Sequence, residues 1–105
     1  MAVYQFDGTM TGLLSCVFRA FEFKEFNVQL TAGQVPQSGL FDEFIEVPSN
    51  DEHGQRVWQG LKQKVSAKAL RNFYYSFLSE QDVAFQHCFN FAVYVFQSQL
   101  PVDQD

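Results

Sequence analysis

Hydrophobic positions along the chain follow two periods, and the period changes where turn-forming residues intervene. Val3 to Phe6 reads as a short strand closed by Asp7-Gly8, a pair that favours a turn. Thr9 is then placed as an N-cap, and Met10, Leu13, Leu14, Val17, Phe18 and Phe21 recur at three- and four-residue steps. That spacing predicts an amphipathic helix to about residue 23, with Arg19, Glu22 and Lys24 facing water. Phe26-Asn27-Val28-Gln29-Leu30 alternates strictly, the pattern of a half-buried strand. Thr31 to Gly39 has turn residues and no period, so it reads as an exposed loop. Leu40 to Val47 offers another strand, with Ile45 and Val47 on one face and Phe44 on the other, to be paired with Val3 to Phe6.

Pro48 ends that strand, and Ser49-Asn50-Asp51-Glu52 supplies a capping box. The helix that follows, to about residue 64, carries Val57, Trp58, Leu61 and Val65 inward. Ser66 caps a further helix with Leu70, Phe73, Tyr74, Phe77 and Leu78 on its packed side, and Ser79 with Asp82 opens the last one, which ends before Pro101. The fold class expected is α+β and helix-dominated: about four helices with two or three short antiparallel strands in one domain.

The last helix holds the most apolar run, Gln81 to Phe96, with 11 of 16 residues apolar and no Gly or Pro. Phe85, Cys88, Phe89, Ala92 and Phe96 make its inward face. Phe91, Val93, Tyr94 and Val95 are left needing cover, and a second copy of the chain or a following segment is the expected partner there. The run is shorter than the roughly 20 residues needed to span a bilayer.

Composition sharpens this reading. The 105 residues include 13 Phe, four Tyr and one Trp, enough ring area for one well-filled core. A net charge of −5 is a poor footprint for duplex DNA, which draws affinity from Lys and Arg on phosphates. Even so, Arg56, Lys62, Lys64, Lys68 and Arg71 fall in one stretch, as a solvated helix face or, with Tyr75, a nucleic-acid contact. Cys16 and Cys88 stand among apolar positions and read as buried reduced thiols. With an N-terminus unlike a signal peptide, they point to the cytoplasm.

Several short motifs resemble the family described as "probable DNA metabolism protein". They are Tyr4-Gln5-Phe6-Asp7-Gly8, Gly12-Leu13-Leu14, Val17-Phe18, Leu40-Phe41, Arg56-Val57, Gly60-Leu61 and Phe77-Leu78-Ser79-Glu80, in the family's order and spacing. Ser49-Asn50 stands where relatives tend to have Thr-Asp, which keeps the cap chemistry. The resemblance implies a partner, a radical-SAM protein acting in DNA modification or repair, and in some relatives fusion to a uracil-DNA-glycosylase-like domain. It also implies that this chain is the N-terminal part of a longer protein. It brings no catalytic residues with it.

Candidate chemistry is sparse. A radical-SAM cluster needs three thiolates, and two distant cysteines exclude that role for this chain. His53 and the pair His87-Cys88 lack a second ligand at helical spacing, so no metal or cofactor is assigned. A Cys16 or Ser nucleophile with a His would need a thiol or hydroxyl outside the apolar stripe. Asp42, Glu43 and Glu46, and Asp51 and Glu52, read as solubility and capping residues rather than acid-base pairs. Three functions follow. The first is a non-catalytic interaction domain of a DNA repair or modification system. The second is a nucleic-acid-binding module using Arg56 to Arg71. The third is a nucleobase- or nucleotide-processing enzyme whose site lies largely elsewhere.

Overall fold

A computed structural model of the chain describes residues 2–33 and 43–98. Three strands, β1 (Ala2–Phe6), β2 (Val28–Ala32) and β3 (Glu43–Glu46), form one sheet in the order β2-β1-β3. Four helices, α1 (Met10–Phe23), α2 (Asp51–Lys64), α3 (Ala67–Phe77) and α4 (Asp82–Gln97), complete the α+β, helix-dominated fold.

Both neighbours run parallel to β1, with Ala2 beside Val28 and Glu43, and Tyr4 beside Leu30 and Ile45. The antiparallel arrangement expected from the short strands is therefore corrected. Between β1 and β2 the reason is α1, whose 14 residues carry the chain back to the start of the sheet, as parallel pairing requires. Pairing of the third strand with β1 is as expected, although Leu40–Asp42 lie outside the described residues. So do residues 34–39, expected as a loop, and Pro101. Val3, Tyr4 and Phe6 are all buried, in keeping with the central strand of a parallel sheet. β2 starts two residues later than its alternation suggested and takes in Thr31, which is buried rather than part of an exposed loop.

α1 lies against α2, α4 and the sheet. Its buried face is broader than the apolar stripe, because Gly12, Ser15, Cys16 and Ala20 join Leu13, Leu14 and Val17. Arg19, expected in water, is half-buried. Its guanidinium lies 4.2 Å from the Phe23 ring centre, and its Nε is buried with no hydrogen-bond partner among the described residues. The helix ends where Lys24 turns left-handed at φ 56° and Glu25 N–H reaches back to the Ala20 carbonyl.

The helix caps divide in the same way. Thr9 Oγ1 accepts from Gly12 N–H and Ser66 Oγ from Ala69 N–H, both as expected. Asn50, not Ser49, caps α2 by accepting from His53 N–H at 3.0 Å, while the Ser49 hydroxyl donates to Asp7. Ser79 donates to the Ser76 carbonyl, so α4 begins at Gln81 without a side-chain cap.

α4 packs against β2, α1, α3 and α2, the central place its apolar run demanded. Phe85, Cys88, Phe89 and Ala92 are buried. So are Val93 and Val95, which corrects the expectation that they lack cover: the chain's own elements enclose them. Phe91 is half-buried beside Phe73, Phe96 is half-buried rather than fully inward, and Tyr94 stays 60% exposed. On α3, Phe73 and Phe77 point inward, whereas Tyr74 and Leu78 are exposed. Trp58 is half-buried, and Gly54 takes the innermost place on that turn of α2 against Thr11.

One polar side chain on α4 secures the sheet. Gln86 Oε1 accepts from Leu30 N–H at 2.8 Å and its Nε2 donates to the Val28 carbonyl at 3.0 Å. The open edge of β2 is thereby occupied by a helix side chain, which removes the exposed backbone that an edge strand otherwise presents.

Candidate functional site

Three surfaces gather chemistry. At the first, the carboxyl end of β1 meets the start of α1. Asp7 Oδ1 accepts from Thr9 N–H and the Thr9 hydroxyl, and Oδ2 accepts from Ser49 Oγ at 2.5 Å. Partial burial pushes the Asp7 carboxyl up, but these hydrogen bonds outweigh it and hold the group below the usual aspartate range. Gly12 leaves room for this arrangement, since a Cβ there would press on the Asp7 carboxylate and stand 3.1 Å from Ser49 Oγ, so that those side chains would have to shift. The junction thus uses its carboxylate structurally, to tie β1, α1 and the start of α2 together.

The second surface is a groove of about 550 Å³ between α1, α2 and α4. Val17, Phe18, Phe21, Val57 and Phe96 line it, with Glu22 and Arg56 supplying one charge of each sign. Phe21 meets the Phe96 ring edge-on at 5.9 Å, and Phe18 stacks at 3.8 Å on His53.

The third surface runs from α2 onto α3. Arg56, Lys62, Lys64, Lys68, Arg71 and Tyr75 are all exposed, but they do not form one patch of a single origin. Arg56 belongs to the groove just described. Lys62 and Lys64 occupy the last turn of α2, where a cation offsets the negative end of the helix dipole and needs no ligand to explain it. Lys68 lies in the first turn of α3, at the positive end of that dipole, where a cation gains nothing from the helix. Arg71 and Tyr75 follow it at three- and seven-residue steps and so share its face.

That face adjoins a smaller groove of about 320 Å³. Met10, Thr11 and Leu14 of α1, Asp51, Gly54, Gln55 and Trp58 of α2, and Tyr74 of α3 line it. The Tyr74 ring lies 6.3 Å from the Tyr75 ring, linking groove to cationic face.

No family model, curated protein or solved structure matches this chain.

The remaining candidates stay apart from these surfaces. Cys16 and Cys88 are buried and free, and burial pushes the Cys16 thiol up to about 12 and the Cys88 thiol up as well. Cys88 Sγ lies 3.6 Å from the Phe73 carbonyl, a weak contact that joins α4 to α3. Tyr4 is likewise raised, first by burial and then by Glu25, whose Oε1 accepts from its hydroxyl at 2.7 Å. His53 is stacked on Phe18, and His87 is exposed on α4. Among the described residues, no three His, Cys, Asp or Glu side chains converge as a metal site, and no helix is long and apolar enough to cross a membrane. Asp42 lies outside the described residues.

Tyr74 and the groove it lines were missed by reading the sequence, which placed Tyr74 in the core. Its position is 100° round the helix from Phe73, at the edge of the stripe centred on Phe73 and Phe77. A second signal was present in the charges. Residues 53–79 carry five of the seven Lys and Arg and none of the twelve Asp and Glu, so a net +5 there sits against −10 in the rest of the chain.

Proposed function

We propose that this chain is a non-catalytic interaction domain of a DNA repair or modification system, acting in the cytoplasm beside a radical-SAM protein. The system and the partner come from the family resemblance. The observation that carries the interaction role is the groove between α1, α2 and α4, where apolar side chains are flanked by Glu22 and Arg56. Aromatic walls with a charged rim are the usual make-up of a peptide- or helix-docking site. Asp7 is engaged by Thr9 and Ser49, and both thiols are buried. The test is retention of the radical-SAM protein on the immobilised chain, with Glu22→Lys as the groove variant. Retention by the parent and its loss in the variant is expected; no retention by the parent chain would sink the proposal.

A second reading has its own observation. Lys68, Arg71 and Tyr75 share the outer face of α3, and the position of Lys68 is one that helix electrostatics does not favour. This face fits direct binding of nucleic acid, with cations on phosphates and a ring for stacking. Binding that weakens as salt rises is its expected signature.

A further inference from the structure

The 320 Å³ groove beside the α3 face has a make-up unlike that of the larger one. Its volume falls at the low end of the ~300–1,000 Å³ range of clefts that hold small ligands. Two rings, Trp58 and Tyr74, supply flat apolar walls; Met10 and Leu14 add aliphatic surface. Asp51 contributes a carboxylate, which accepts hydrogen bonds, and Gln55 an amide, which both donates and accepts. Such a lining suits a planar heterocycle bearing N–H groups. It does not suit a phosphate, which Asp51 repels.

The phosphates have a place of their own. Tyr75 leads from the Tyr74 ring, 6.3 Å away, to Arg71 and Lys68 on the same helix, in the stretch of the chain that carries +5 and no acidic residue. A ligand that is anionic along one edge and planar, with N–H groups, along the other matches both parts at once. Duplex DNA does not offer its bases in this way, whereas an unpaired strand does. Resting on the nucleic-acid reading of the α3 face, we infer that the chain binds single-stranded nucleic acid. Lys68 and Arg71 hold the backbone, Tyr75 stacks on one base, and an adjacent base enters the groove between Trp58 and Tyr74.

Trp58 is the chain's one tryptophan, so its fluorescence reports on this groove directly. The experiment titrates the chain with a labelled single strand of about 12 nucleotides, within the span of known single-strand sites, at low and at physiological salt. An abasic strand of equal length, the corresponding duplex and polyglutamate serve as competitors. The expected result is quenching of Trp58 by the base-bearing strand and binding at least about tenfold tighter than to the abasic strand. Duplex and polyglutamate should compete more weakly. Tyr74→Ala should cut the preference for the base-bearing over the abasic strand several-fold and remove the quenching of Trp58, with the stacking on Tyr75 retained. Lys68→Ala with Arg71→Ala should flatten the dependence of log K on log salt by about 1.4, as two lost phosphate contacts on a single strand require. All these side chains but Trp58 are exposed, and circular dichroism checks that each variant folds.

Equal affinity for base-bearing and abasic strands, or an unquenched Trp58, overturns the base groove while leaving the cationic face standing. Equal competition by duplex or polyglutamate overturns the choice of a single strand. No salt-dependent binding at all overturns both the inference and the nucleic-acid reading beneath it.

Discussion

α3 and α4 pack against each other and both are rich in aromatic residues, yet they use them in opposite ways. On α4, Phe85 and Phe89 are buried against rings of β1 and α3, and of its Phe and Tyr rings Tyr94 alone is well exposed. On α3, Phe73 and Phe77 hold the helix to the core while Tyr74 and Tyr75 stand 44% and 59% exposed. The difference lies in what accompanies the rings. α4 has no Lys or Arg, and neighbours on four elements cover it apart from the face of Val83, His87, Asn90, Tyr94 and Gln97. α3 carries Lys68 and Arg71 ahead of its rings, on the face that Tyr75 shares, and no dry interior would accept them unpaired. An aromatic count alone thus says little about burial; what shares a helix face with each ring matters as well.

The contrast is broken most directly at Phe89. Its side chain is fully buried and meets the Tyr4 ring edge-on, so Phe89→Ala should cost about 3–5 kcal/mol. For a domain whose whole stability is about 5–15 kcal/mol, that leaves little or nothing in reserve. Urea unfolding measures it, and a loss under about 1 kcal/mol would show that α4 is not the centre of the core. A smaller effect sharpens the same side. Gln86→Ala removes the partners of Leu30 N–H and the Val28 carbonyl and should cost about 1–3 kcal/mol, with faster amide exchange at Leu30.

Much of this was legible in the residues. The four helices, the burial of both cysteines and the central place of Gln81 to Phe96 all follow from period and composition, and the expected pairing of β3 with β1 is found. Strand direction was not, because short alternating segments look alike in either sense, and it is the long α1 connection that forces β2 parallel to β1. Neither was the cap of α2. Ser49 and Asn50 are both good cap residues, and only the fold shows that Asn50 takes the cap while Ser49 donates to Asp7, 42 positions away in the chain. Val93 and Val95 were read as uncovered because one helix shows only one packed face to a partner; here several elements surround it. The α3 face was half legible: the cations and Tyr75 stood out, but the groove needs Trp58 and Met10 from other helices, a juxtaposition that only the fold creates.

The helix starts give a finer test of the contrast. α3 has a side-chain cap and α4 has none, so α3 depends on its local signal where α4 depends on burial. Ser66→Ala should cost about 1 kcal/mol, whereas Gln81→Ala should leave the melting temperature nearly unchanged. Equal losses at the two sites would remove that distinction.

The smallest expected effect falls on Tyr75. Its ring is exposed, on the face of α3 opposite Phe73 and Phe77, and the neighbouring ring it approaches, Tyr74, is itself exposed. Truncation there uncovers no core side chain, and alanine is the better helix former by a few tenths of a kcal/mol. Tyr75→Ala should therefore shift stability by no more than about 0.5 kcal/mol in either direction. Chemical denaturation of the variant beside Phe89→Ala reads both ends of the scale in one experiment. A loss above about 1 kcal/mol at Tyr75 would mean that the outer face of α3 is covered in solution. The division between a helix that builds the core and a helix that presents its rings would then fail.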